Sequence, residues 1–117
     1  MSHAALLSPV PEAESVRLAR MVSAAGGLTG RQKLVLVMLV TCAAETSRRP
    51  HVPLTDLARY IGCSPKVTLA TVSQLEARGL VRVVLREVGR GQRKLRPAVY
   101  EVNVPALAAL RRPGASI

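Results

Sequence analysis

Between Leu54 and Leu80 the chain ends one helix and begins another within a few residues, and that punctuation limits the folds open to it. Thr55 reads as a side-chain cap, and Asp56 places negative charge in the first turn of a short helix through Tyr60. Gly62 stands where a helix needs a left-handed residue to end. Ser64 then caps a second helix whose first position, Pro65, has no N–H to leave unsatisfied. That helix is expected to run to Arg78 and stop at Gly79. Two helices joined so tightly have the shape of a helix-turn-helix, whose second helix can lie in a DNA major groove.

At about 100° per residue, Leu69, Val72 and Leu75 fall on one side of the second helix, with Thr68 beside them. Lys66, Val67, Ala70, Thr71 and Gln74 point the other way. A capped helix pair also serves as plain packing in small helical domains, so its surroundings decide the reading.

After Gly79 the apolar period changes to two. Val81, Val83 and Leu85 face one way, while Arg82 and Arg86 share the other face with Val84 and Val88. The run GRGQRKLR, residues 89–96, has two glycines and four cations and reads as a hairpin tip. A second strand follows with Tyr100, Val102 and Val104 on one face, and Pro97 belongs near an edge or the tip. A short helix from Pro105 to Arg112 is expected next.

Upstream, residues 1–11 read as a flexible arm. Glu12 to Ala25 form a helix with Leu18, Met21, Val22 and Ala25 as its apolar stripe, ended by Gly26 and Gly27. Thr29 and Gln32 make a capping box for the next helix, in which Leu34 to Val40 is apolar all round and should be buried. Residues 46–53 connect, with Val52 suited to a strand of one or two residues. The chain thus reads as one α+β, mainly α domain over residues 12–112, with a core at 28–104 and a tail at 113–117.

With no Phe or Trp and two Tyr in 117 residues, the core must be built from Leu, Val, Ala and Met. Seventeen Lys and Arg against seven Asp and Glu give a formal charge of +10, which favours a polyanion: nucleic acid first, an anionic membrane surface second. Fourteen of the cations are Arg, which suits bidentate phosphate contacts. Cys42 and Cys63 are too few for a disulfide framework or a zinc pattern, and His3 and His51 stand alone. Both thiols read as reduced and space-filling. No signal peptide is indicated, and the most apolar run is too short to cross a bilayer. The expectation is a cytoplasmic, nucleoid-associated protein with no cofactor, no metal, no membrane association and no evident small-molecule ligand.

The order of helices, helix-turn-helix and basic hairpin is that of a winged-helix domain, carried by LTGRQKLVLVML, LTDLARYIGCS and VSQLEARGLVRVVLREV. Over residues 28–104 the chain resembles the winged helix-turn-helix superfamily, in particular MarR-type regulators and the N-terminal domains of phage or plasmid replication initiators. The resemblance implies a three-helix core plus a β-hairpin wing, flanked by terminal helices. It also implies a recognition helix at 65–78 and a basic wing at 82–96. Families of this kind place a β-branched apolar residue where Thr68 stands, so the helix here is turned slightly.

If double-stranded DNA is the partner, phosphate contacts fall to Arg82, Arg86, Arg90, Arg93, Lys94 and Arg96. Ser64 and the N–H groups behind it can hold a phosphate. Base reading falls to Lys66, Thr71 and Gln74, with Val67 and Ala70 able to meet thymine methyls. The function expected is sequence-dependent DNA binding, as a transcriptional regulator. The alternatives are a replication-initiation or mobile-element protein, and a winged helix used as a protein-interaction module. An enzyme is not expected, because GRGQRK opens no helix and no nucleophilic or metal cluster is visible. The apolar stripes of residues 12–25 and 105–112 are expected to pack on each other and to form a homodimer surface.

Overall fold

The computed structural model describes residues 14–46, 49–88 and 94–111. The expected arm, residues 89–93 of the expected hairpin tip with Arg90 and Arg93, and the expected tail lie outside the described residues, while Leu95 and Arg96 of that expected tip belong to a strand. The architecture is α+β and mainly helical, compatible with the arrangement expected. Five helices run α1 (Glu14–Ala24), α2 (Gly30–Thr46), α3 (Leu54–Ile61), α4 (Pro65–Ala77) and α5 (Val104–Ala108). Strands β1 (Val81–Val88) and β2 (Leu95–Val102) form an antiparallel hairpin between α4 and α5.

The helix ends follow local chemistry. Thr29 Oγ1 accepts from Gln32 N at 3.1 Å while Gln32 Oε1 accepts from Thr29 N at 3.0 Å, completing the capping box of α2. Gly62 ends α3 at φ +73°, its N–H and that of Cys63 returning to the Arg59 and Ala58 carbonyls. Ser64 caps α4 by accepting from Val67 N at 3.2 Å. Thr55 is not a cap. The helix begins two residues earlier, because Leu54 is drawn into the core, and Pro53 stands at the cap position without a side-chain bond.

One core joins every layer: Val22 of α1, Leu36 and Leu39 of α2, Leu57 of α3, Val72 and Leu75 of α4, and Tyr100 of β2. Leu69 is only half-buried, outside that set. The expectation that α2 is covered on all sides fails at Leu34, which is 49 % exposed. Its neighbours Val35, Leu36, Leu39 and Val40 take the buried positions against α1, α3, α4 and β2.

The strand alternation holds only as far as Val83. Irregularities between Val83 and Leu85 and between Leu85 and Arg86 break the register, so Leu85 turns outward instead of joining Val81 and Val83 inside. The other edge of β2 takes residues 50–52. Val52 N donates to Ala98 O at 2.7 Å and Tyr100 N to Pro50 O at 3.3 Å, with an isolated bridge between His51 and Val99. Pro97, which has no N–H to give, sits near the tip end of β2, opposite Arg86.

Helix α5 is shorter than expected, and Asn103 sets where it starts. Asn103 Oδ1 accepts from Ala106 N, and its Nδ2 donates to Gly79 O at 3.1 Å, which ties the start of α5 to the turn after α4. The terminal helices do meet, through Gly26 N to Leu110 O at 2.7 Å and a bridge between Ala25 and Arg111. Their stripes are not surplus to the core, however: Leu18, Val22, Ala25 and Leu107 are all buried within the chain itself. Among the described residues Val16 is the large apolar residue these helices leave exposed.

Candidate nucleic-acid interface

The core fixes which side of α4 faces out. Thr68, Thr71, Val72 and Leu75 are buried, and Lys66, Ala70, Ser73, Gln74 and Ala77 are exposed. The outward placement of Thr71 is therefore wrong: it is 2 % exposed. Threonine satisfies its hydroxyl against its own helix, as Thr71 Oγ1 does with Val67 O and Thr68 Oγ1 with Ser64 O, both at 2.9 Å. The methyl groups are then free to pack inward. Val67 is half-buried, on the flank of the exposed stripe. Ser73 takes the place vacated by Thr71, and only the true rotation of the helix reveals it.

Two expected contact residues already have work within the chain. Gln74 Oε1 accepts from Gln32 Nε2 at 3.0 Å, which leaves its own amide N–H groups to donate outward. Ser64 Oγ accepts the capping bond, so toward a phosphate its hydroxyl hydrogen remains. The Gln32 contact brings the first turn of α2 beside the middle of α4. Arg31, exposed next to Gln32, carries no ion pair among the described residues, and nothing in the sequence around it marks it as a contact.

The hairpin cations divide into two groups. Arg82 pairs with Glu101 at 3.3 Å, and Arg49 holds the same carboxylate oxygen at 3.1 Å. Arg82 donates a hydrogen bond to Glu101 and lies close with its positive charge, and with Arg49 this holds the carboxyl below its ordinary pKa. Arg86 pairs with Glu76 of α4 at 3.3 Å, joining the stem of the hairpin to the helix. On the far side of the stem His51 meets Glu87. The stem cations thus meet carboxylates first, which sequence separation concealed. Lys94, exposed, and Arg96, half-exposed, carry no ion pair among the described residues. Arg90 and Arg93 lie between the two strands in sequence, outside the described residues.

A cleft of about 900 Å³ is lined by Leu18, Val40, Val81, Arg82, Glu14, Glu76 and Glu101 among others. Two of its three carboxylates are those held by Arg86 and by Arg82 with Arg49. Its lining is mostly apolar and carboxylate, with Arg82 as its cation, and that Arg82 is already paired with Glu101. Among the described residues no group of three or more His, Cys, Asp or Glu is placed to hold a metal ion. No described helix is long and apolar enough to cross a membrane.

In comparisons with family models, curated proteins and solved structures, nothing matches this chain.

Proposed function

We propose that this chain is a winged-helix protein that binds double-stranded DNA, as a transcriptional regulator of limited sequence preference. In this reading α4 enters the major groove and the hairpin is the wing. The observation that carries it is a division of charge. The stem cations Arg82 and Arg86 are ion-paired with Glu101 and Glu76, while among the described residues Lys94 and Arg96 toward the tip form no ion pair, the Glu87 carboxylate across the strands from Arg96 being turned to His51. With a net charge of +10, such a surplus toward one end of the hairpin is suited to phosphates.

On α4 the outward stripe of Lys66, Ala70, Ser73 and Ala77 is small enough to allow close approach to a groove. It offers Lys66, Ser73 and the Gln74 amide as donors, with no Arg fork for guanine, so discrimination between sequences is modest. Ala70 and Val67 also favour a second reading, in which this face docks a protein rather than a base edge.

Titration of a short duplex at a series of salt concentrations tests the proposal. DNA binding predicts that log K falls steeply and linearly with log salt, by about 0.9 for each phosphate neutralised. Absence of duplex binding at low salt overturns it and leaves the protein-docking reading.

A further inference from the structure

Residues 49–52 are fastened to the hairpin by two ion pairs as well as by backbone bonds, and the two pairs are built alike. Glu101 faces Arg82 across the strands and is met from this segment by Arg49. Glu87 faces Arg96 across the strands and is met from the same segment by His51. His51 is bridged to Val99 on the edge of β2 away from β1, so its ring crosses β2 to reach Glu87. Two differences separate the pairs. Arginine keeps its charge, whereas histidine changes charge between about pH 5 and pH 8. Arg82 shares one carboxylate oxygen of Glu101 with Arg49, whereas Arg96 forms no ion pair among the described residues.

Taking the DNA-binding reading as premise, we propose that His51 is a positioning residue whose charge decides whether Arg96 is free to contact a phosphate. A protonated imidazole neutralises Glu87, and the charge of Arg96 is left for the duplex. Beside a neutral imidazole Glu87 keeps its full negative charge, about 5 Å from Arg96 at Cβ, and draws that guanidinium across the strands. The charged groups around the pair are Arg82 of β1, Arg96 and Glu101 of β2, and Arg49 next to His51. Arg49 and Arg82 are taken up by Glu101, so Arg96 is the hairpin cation left opposite Glu87. Acid therefore favours DNA binding, and the duplex in turn favours the protonated ring, because such coupling is reciprocal. His51 and Glu87 are both well exposed, and exposed pairs contribute little, so the effect is a graded one of about threefold.

The test measures duplex affinity and its salt slope at about pH 6 and about pH 8, on either side of ordinary histidine titration. The full chain is compared with His51→Gln, His51→Arg, Glu87→Gln and Arg96→Gln, and thermal melting checks that each variant folds. His3, the other histidine, is unchanged throughout, so its share is the pH dependence that His51→Gln retains. Beyond that share, the wild type should bind about threefold more tightly at the lower pH, with a slope steeper by about 0.9 for the added phosphate contact. His51→Gln should behave at both pH values as the wild type does at the higher one, and His51→Arg as it does at the lower one. Glu87→Gln, which leaves Arg96 unrestrained, should bind tightly at both. Arg96→Gln should bind weakly at both, with no more pH dependence than His51→Gln. An Arg96→Gln variant that keeps the full pH dependence of the wild type overturns the proposal, because His51 then acts without Arg96. A wild type that matches His51→Gln at both pH values overturns it too, and in either case the DNA-binding reading stands. A wild-type chain that binds no duplex at either pH overturns both.

Discussion

Gln32 of α2 donates its Nε2 hydrogen to Gln74 Oε1 of α4 at 3.0 Å, while its own Oε1 caps Thr29 N. One buried amide therefore caps the start of α2, and also ties α2 to the exposed face of α4. Replacing Gln32 by Ala removes both bonds and opens a small gap, for an expected loss of about 1–3 kcal/mol. Gln74→Ala, at an exposed position, should cost less than half as much. Urea unfolding of the two variants checks the order, and equal losses would show that the capping role of Gln32 contributes nothing.

The burial of α4 makes a sharper comparison. Leu75 is fully buried, and Leu75→Ala should cost about 2–5 kcal/mol. Leu69 is half-buried, so Leu69→Ala should fall well below that range. If the two losses match in denaturant unfolding, the helix is rotated from the orientation described.

These residues show how much is legible from sequence. Helix ends are local: Gly62, Ser64 with Pro65, and Thr29 with Gln32 each work within a few residues, and the structure has them where the sequence puts them. What sequence hides depends on distant partners. Thr71 looks polar until its hydroxyl is bonded to Val67 O, after which it packs like a small aliphatic residue. The break in alternation at Leu85 accompanies pairing of β2 with residues 50–52 on its other edge, far away in sequence. Arg82 and Arg86 look available because Glu101 and Glu76 are separated from them along the chain. The cluster of cations toward the tip is legible in the run at 89–96, but whether a carboxylate meets them is not.

Rotation of α4 changes which residues should influence sequence preference. In the proposed complex Ser73→Ala together with Gln74→Ala should narrow the difference in affinity between a selected and a random duplex, with little change in salt slope. Thr71→Val should leave that difference intact and alter stability by no more than about 1 kcal/mol, since shape is kept and a single hydroxyl bond is removed. Competition binding with both duplexes measures this. Loss of preference in Thr71→Val alone would return Thr71 to the DNA-facing surface.

Tyr100 predicts a pH effect. Its ring is fully buried, its hydroxyl donates to Pro97 O at 3.2 Å, and burial raises the phenol well above its ordinary pKa; Arg86 opposes the shift and Glu76 adds to it. Below an unfolded value of about 10 the phenol is neutral in both states, and the whole contribution to stability is present. As pH rises past that value the unfolded chain ionises first, so stability falls. Tyr100→Phe removes this dependence, and its stability should decline less between about pH 9 and pH 11 than that of the wild type. Parallel decline of the two proteins in urea unfolding would show that Tyr100 ionises freely in the fold.

The central claim is that cations toward the end of the hairpin carry affinity for duplex DNA, whereas those in the stem serve the fold. Its most direct measurement is the salt slope of duplex binding for the full chain and for Arg90→Gln/Arg93→Gln/Lys94→Gln. The variant should bind every duplex more weakly by a similar factor, with a slope shallower by roughly one unit for each phosphate it leaves unneutralised. A triple variant that keeps the affinity and slope of the wild type would contradict it.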